Sequence, residues 1–94
     1  MSNEALAREY LKALENGESG DALRRFYTED FEQIEYPNAL NPRGQRSDLA
    51  HALDRSEKGK HLLRRQTFAV RYVVSSGESV ALVVGWCAVV AVPV

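Results

Sequence analysis

The residue hardest to place without chemistry is Arg71, a guanidinium inside a segment, Gln66 to Val74, that otherwise alternates as a strand. A charge among apolar neighbours lies at a pocket mouth or is paired, and Glu35 is a carboxylate that could pair with it. Cys87 is the single cysteine, which excludes an internal disulfide, and its apolar strand reads as housing a small buried hydrophobe rather than a nucleophile. His51 and His61 lack a second histidine or carboxylate at metal-ligand spacing, so no metal is expected. Gly17 and Gly20 open no phosphate loop and there is no Gly-x-Gly-x-x-Gly, so no cofactor is called for. Lys58, Lys60, His61, Arg64 and Arg65 form a basic cluster that could meet a phosphate or an acidic partner. The plainer reading is a solvated helix end favoured by the helix dipole, and without interleaved aromatics no nucleic-acid partner is expected.

The elements that must position these residues follow from periodicity. Leu6, Tyr10, Ala13 and Leu14 recur at steps of three and four, opposite Glu4, Arg8, Glu9, Lys12 and Glu15, and predict an amphipathic helix. Ser2 or Asn3 caps it, Glu4 and Arg8 form an i,i+4 pair, and Asn16-Gly17 stops it. Asp21 starts a second helix with Leu23, Phe26 and Tyr27 on one face, and Phe31 to Tyr36 then alternates as a short strand ended by Pro37. Pro37 to Gly44 is a loop. Ser47 is expected to cap a third helix with Asp48 in its first turn and Leu49, Ala52 and Leu53 inward; Gly59 closes it, or Leu62 and Leu63 continue it a turn further. In Gln66 to Val74, Phe68, Val70, Tyr72 and Val74 share one face, and Ser75-Ser76-Gly77-Glu78 is a hairpin turn. The predicted order is helix, helix, strand, helix, strand, strand.

The last stretch, Val80 to Val94, carries no charged residue and is rich in valine around Trp86, which fits a strand buried on both faces. It is too short for a membrane helix, which needs about 20 apolar residues, and Pro93 would sit badly in one. The 94 residues make one domain spanning 1–94, and 12 basic against 13 acidic side chains call for neither nucleic acid nor an anionic membrane. The N-terminus has no basic region followed by an apolar core, so a cytoplasmic location is the expectation.

Arg8-Glu9-Tyr10-Leu11-Lys12-Ala13-Leu14-Glu15-Asn16-Gly17, then Phe26-Tyr27-Thr28-Glu29-Asp30-Phe31, a short strand ending at Pro37, Gly44 before a helix and the closing Trp86 strand together resemble the SnoaL-like branch of the nuclear transport factor 2-like superfamily, which includes the ketosteroid isomerases. The resemblance covers nearly the whole chain and rests on the order of loose motifs. It implies an α+β fold in which a curved, largely antiparallel sheet wraps the N-terminal helices into a cone with an apolar pocket. The convex sheet face would serve as a homodimer or higher homo-oligomer interface. Relatives usually carry about two more strands, so the resemblance implies that the fold here is short at its C-terminus, either truncated or completed by a second chain.

The same resemblance implies site residues. Tyr10 matches the position of a tyrosine that stabilises a developing oxyanion, or else packs its ring in the core. Glu35 lies next to the position of the carboxylate base, where burial would raise its pKa; a one-residue slip would present Tyr36 instead, and a solvated strand glutamate is the alternative. Phe26, Tyr36, Phe68, Arg71 and Trp86 would line the pocket. The second acid of the isomerase site has no counterpart up to Val94, which disfavours steroid isomerisation. The implied function is binding of an apolar polycyclic or polyketide-like small molecule, with acid-base chemistry by Tyr10 and Glu35 if the protein is an enzyme. A non-catalytic dimerisation module that uses its apolar sheet face is the other reading.

Overall fold

A computed structural model describes residues 2–91. The first helix, α1 (Asn3–Glu15), begins where the sequence places it: Ser2 is the N-cap and its hydroxyl accepts from the Ala5 amide at 3.1 Å. Gly17, with φ +83°, turns the chain out of the helix. The expected second helix is a 3-10 segment, Gly20–Phe26, too short and tightly wound to present the α-helical face predicted for it. It still buries Leu23 completely, and it is held to the next helix by the Gly20 amide donating to Ser56 Oγ at 2.9 Å.

β1 (Glu32–Glu35) pairs antiparallel with a strand that periodicity does not reveal, β2 (Gln45–Asp48), around the predicted loop. In that loop Asn38 Oδ1 accepts from the Leu40 and Asn41 amides, both at 3.0 Å, an Asx turn that starts the return to β2. Ser47 therefore does not cap the next helix. It lies in β2, 4 % exposed, and its Oγ has no hydrogen-bond partner among the described residues, while Asp48 caps α2 (Leu49–Lys60) by accepting from the His51 amide at 2.9 Å. A carboxylate one residue on from the serine makes the stronger cap because it also meets the positive end of the helix dipole. Helix α2 runs one residue past Gly59, and Leu63 opens a strand rather than prolonging the helix.

β3 (Leu63–Ser76) and β4 (Ser79–Val90) form a long antiparallel hairpin. Gly77 takes φ +58° at the first of two loop positions, the placement a type II′ turn demands. The register slips between Val70 and Tyr72, so Arg71 is the extra residue of a β-bulge. The bulge reverses the alternation: Phe68 and Val70 are half-buried, but Val73 takes the next inward position, and Tyr72 (70 % exposed) and Val74 face out.

The described strands thus make an α+β structure with two two-stranded antiparallel sheets. Its small core, Ala13, Leu23, Leu49 and Leu53, lies between α1, the 3-10 segment and α2, with Tyr10, Leu14, Phe26, Tyr27 and Phe31 packed around it. Helix α1 packs along the hairpin and is tied at both ends: Asn3 Nδ2 donates to the Glu78 carbonyl at 2.7 Å, and Glu15 Oε1 accepts from the Phe68 amide at 2.7 Å. β4 is therefore not buried on both faces. Val80, Leu82, Val84 and Ala88 are partly covered on the α1 side, while Ala81, Val83, Cys87 and Val89 on the other face are exposed. Cys87, expected to be buried, is one of these. The end of the predicted strand, 92–94, lies outside the described residues. No helix among the described residues is long and apolar enough to cross a membrane.

Candidate functional site

Where the first half of α1 meets the hairpin tip, three elements leave a cleft of about 470 Å³. Asn3, Leu6, Ala7 and Tyr10 supply one wall from a single stripe of α1, Phe26, Tyr27 and Phe31 supply the second, and Glu78 of the hairpin turn and Val80 of β4 close it. The stripe faces inward because its apolar spacing is that of the helix turn.

Four aromatic rings pack here, Tyr10 edge to face with Phe26 and with Tyr27, and Tyr27 tilted against Phe31. Tyr10 lies 5.5 Å from Phe26 and 5.7 Å from Tyr27, and Tyr27 lies 4.3 Å from Phe31. The Tyr27 hydroxyl donates to the Tyr10 hydroxyl at 2.8 Å. Burial, and then that donated hydrogen bond, push the Tyr27 phenol above its ordinary ionisation range, so it stays protonated and keeps donating. With one lone pair of Tyr10 engaged as acceptor, its own proton is left to give to an oxygen in the cleft, and the incoming bond strengthens it as a donor.

No family model, curated protein or solved structure matches this chain. The site is therefore read from its own geometry. Of the residues expected to line a pocket with Tyr10, Phe26 does. Glu35 does not line this cleft: it sits at the end of β1 beside Arg55, at 3.6 Å, and accepts from Asn38 Nδ2 at 3.1 Å. Hydrogen bonding from Asn38 first, then from Asn41 and the Arg55 charge, holds its carboxyl below the usual range, the reverse of the rise expected of a base. The carboxylate partner imagined for Arg71 is thus taken by Arg55.

Tyr36 is 78 % exposed, so neither register at the end of β1 brings a residue into this cleft. Phe68 pairs across the hairpin with Trp86, whose indole Nε1 donates to Gln66 Oε1 at 3.0 Å; both lie further along the sheet. Arg71 lays its guanidinium against Gly85, so close that a Cβ there would stand 3.0 Å from it. His51 Nε2 lies 3.3 Å from Gln45 Nε2, and among the described residues no three His, Cys, Asp or Glu side chains are placed to hold a metal.

Sequence reasoning missed seven of the nine cleft residues, Tyr27, Phe31 and Glu78 among them. Tyr27 and Phe31 carried a signal, the aromatic run flanking Thr28-Glu29-Asp30, but read as core and strand. Glu78 carried none, because a glutamate in a hairpin turn is ordinarily solvated, and only the folding of the tip back onto α1 brings it to the cleft.

Proposed function

We propose that this chain is a small-molecule-binding protein whose ligand occupies the Tyr10 cleft, with the Tyr10 hydroxyl donating to a carbonyl or similar oxygen of an otherwise apolar molecule. The observation that carries this is the 2.8 Å Tyr27–Tyr10 hydroxyl pair on the wall of an aromatic cleft. An aromatic, mostly apolar lining with a few placed polar groups is the usual make-up of a ligand site. The resemblance to SnoaL-like proteins adds a pocket tyrosine on the first helix and a cone whose wall would comprise the two hairpins. Glu35 is engaged with Arg55 and Asn38, so the reading is one of binding and carbonyl polarisation, not of proton abstraction by that residue.

A matched pair of probes tests it: 2-acetylnaphthalene, which offers a carbonyl, and 2-ethylnaphthalene, which does not. The ketone should bind more tightly, and Tyr10→Phe should remove the difference, about tenfold for a hydrogen bond worth roughly 1.4 kcal/mol. Absence of binding by either, or a preference untouched by Tyr10→Phe, would sink the reading.

A second reading rests on a separate observation. The outward face of the β3–β4 hairpin presents Tyr72, Val74, Ala81, Val83, Cys87 and Val89 to solvent, with Val83 55 % exposed. The Arg71 guanidinium, against Gly85, separates Val83 from Cys87 on this face; exposed apolar side chains on either side of it suit an interface, and a second copy of the chain is its proposed occupant. Val83→Glu or Val89→Glu would then convert a dimer to monomer or aggregate, read by sedimentation; a dimer that survives both changes rules this face out.

A further inference from the structure

The cleft has a charge preference that follows from its lining and deepens the small-molecule reading on which it rests. Among the described residues lining it there is one acidic residue, Glu78, and no lysine, arginine or histidine. Asn3 holds the Glu78 backbone through its carbonyl, which fixes the turn and leaves the side-chain carboxylate outside that bond. Four aromatic rings, Tyr10, Phe26, Tyr27 and Phe31, share the wall with Asn3, Leu6, Ala7 and Val80, and the face of an aromatic ring carries the negative part of its quadrupole. Phe26 already shows the attraction, since the Arg25 guanidinium lies 4.3 Å from its centroid with its charge balanced by Glu18 at 2.7 Å.

We propose that the ligand of this cleft is a small organic cation, an alkylated ammonium on an apolar body that also carries an oxygen acceptor. The ammonium lies among the aromatic rings on the Glu78 side, and the oxygen accepts from Tyr10. An anion would meet Glu78 and, among the described residues lining the cleft, no lysine, arginine or histidine, and a neutral ligand would leave the carboxylate's field unused. The alkylated form is favoured over a primary amine because the rings offer no acceptors for N–H donors, whereas methyl groups on nitrogen spread the charge and bury apolar surface together.

The test is a titration of the full chain, followed by the ring resonances of Tyr10, Tyr27 and Phe31, with three probes of similar shape. They are benzyltrimethylammonium, its neutral carbon isostere neopentylbenzene, and the anion benzenesulfonate. The ammonium should bind about tenfold more tightly than the isostere, the scale of a cation–π contact reinforced by one carboxylate. Glu78→Gln should weaken the ammonium several-fold more than it weakens the isostere. If the isostere or the sulfonate binds as well as the ammonium, the cationic assignment falls while the cleft stands as a ligand site. If no probe perturbs the rings, both fall together. A trimethyllysine peptide added as a fourth titrant separates sources: tighter binding of the peptide than of the free ammonium would overturn the assignment to a small molecule.

Discussion

The hydroxyl pair at the cleft makes a quantitative prediction. Tyr27→Phe keeps the ring, 4.3 Å from Phe31 and 5.7 Å from Tyr10, and removes one hydrogen bond of 2.8 Å. A net intramolecular hydrogen bond is worth about 0.5–1.5 kcal/mol, so this variant should lose roughly 1 kcal/mol. Tyr10→Phe removes the acceptor and leaves the half-buried Tyr27 hydroxyl to find another; an unsatisfied group costs about 1–3 kcal/mol, and partial exposure places this one near the lower end. The double variant has no hydroxyl to disappoint and should be no less stable than the weaker single one. The cycle should therefore close with a coupling of about 1 kcal/mol, read by urea unfolding, and each single change should lower Tm by about 4–8 °C in a chain of this size. Additivity to within about 0.3 kcal/mol would mean that the two hydroxyls do not interact in solution.

The same pair has a signature in pH. Burial and the bond to Tyr10 raise the Tyr27 phenol above its unfolded value, near 10. The folded state then keeps a proton that the unfolded chain releases. The contribution is fully present below about pH 10 and is lost as pH rises above it, at no more than about 1.4 kcal/mol per pH unit and less in so far as water screens a half-buried group. Wild type should lose stability faster than Tyr27→Phe on this alkaline limb. Parallel limbs would place the raised ionisation elsewhere.

Other consequences are simpler. Ser47→Ala removes a buried hydroxyl that has no hydrogen-bond partner among the described residues and should be neutral or stabilise by up to about 1 kcal/mol by thermal unfolding; a loss above that would reveal a partner for Ser47. Gly44→Ala puts a Cβ 2.5 Å from the Glu35 carbonyl oxygen at φ +67° and should cost well over the roughly 1 kcal/mol expected of Gly17→Ala, where φ is +83° but space is open; equal Tm losses would mean that the loop yields freely. Glu35 is depressed in the folded state, so its stabilisation is present above its unfolded pKa, near 4.5, and fades as pH falls through the folded value. Glu35→Gln should flatten that part of the acid-unfolding curve, and an unchanged curve would separate Glu35 from Asn38 and Arg55 in solution.

What could be read in the sequence was what local physics decides. Helix α1 was legible from cap to stop because its stripe, its serine and its glycine all agree, and the hairpin tip because Gly77 sits between an alternating run and a valine-rich one. β2 was not, since Gln45-Arg46-Ser47-Asp48 has no alternation of its own and is a strand only because β1 offers it a ladder. The facing of Tyr72 and Val74 was misread because a bulge at Arg71 carries no local mark; an arginine in mid-strand was noticed, but as a pocket charge rather than as the extra residue of the slip. Most of the cleft escaped because its walls come from elements far apart in the chain. Tyr10 and Phe26 lie on predicted faces, whereas Glu78 joins them through a bond between Asn3 and the far end of the chain.

The Arg71 bulge also bears on how the two functional readings can be told apart. On the turn side of it, Val80 and Leu82 face α1, and Val80 is part of the cleft wall, while Tyr72, Val74, Ala81 and Val83 form the outward surface. Because side chains alternate across a strand, the cleft and the apolar face are built from interleaved residues of one hairpin without sharing any. A charge at Val83 therefore meets the proposed partner surface and not the ligand, and a change at Tyr10 or Glu78 meets the ligand and not the partner. If Val83→Glu nevertheless abolishes cleft binding while the chain stays folded, the hairpin must depend on its outer face being covered to hold Glu78 and Val80 against α1. Ligand affinity would then rise with protein concentration in the wild type, linking the two readings through a single element.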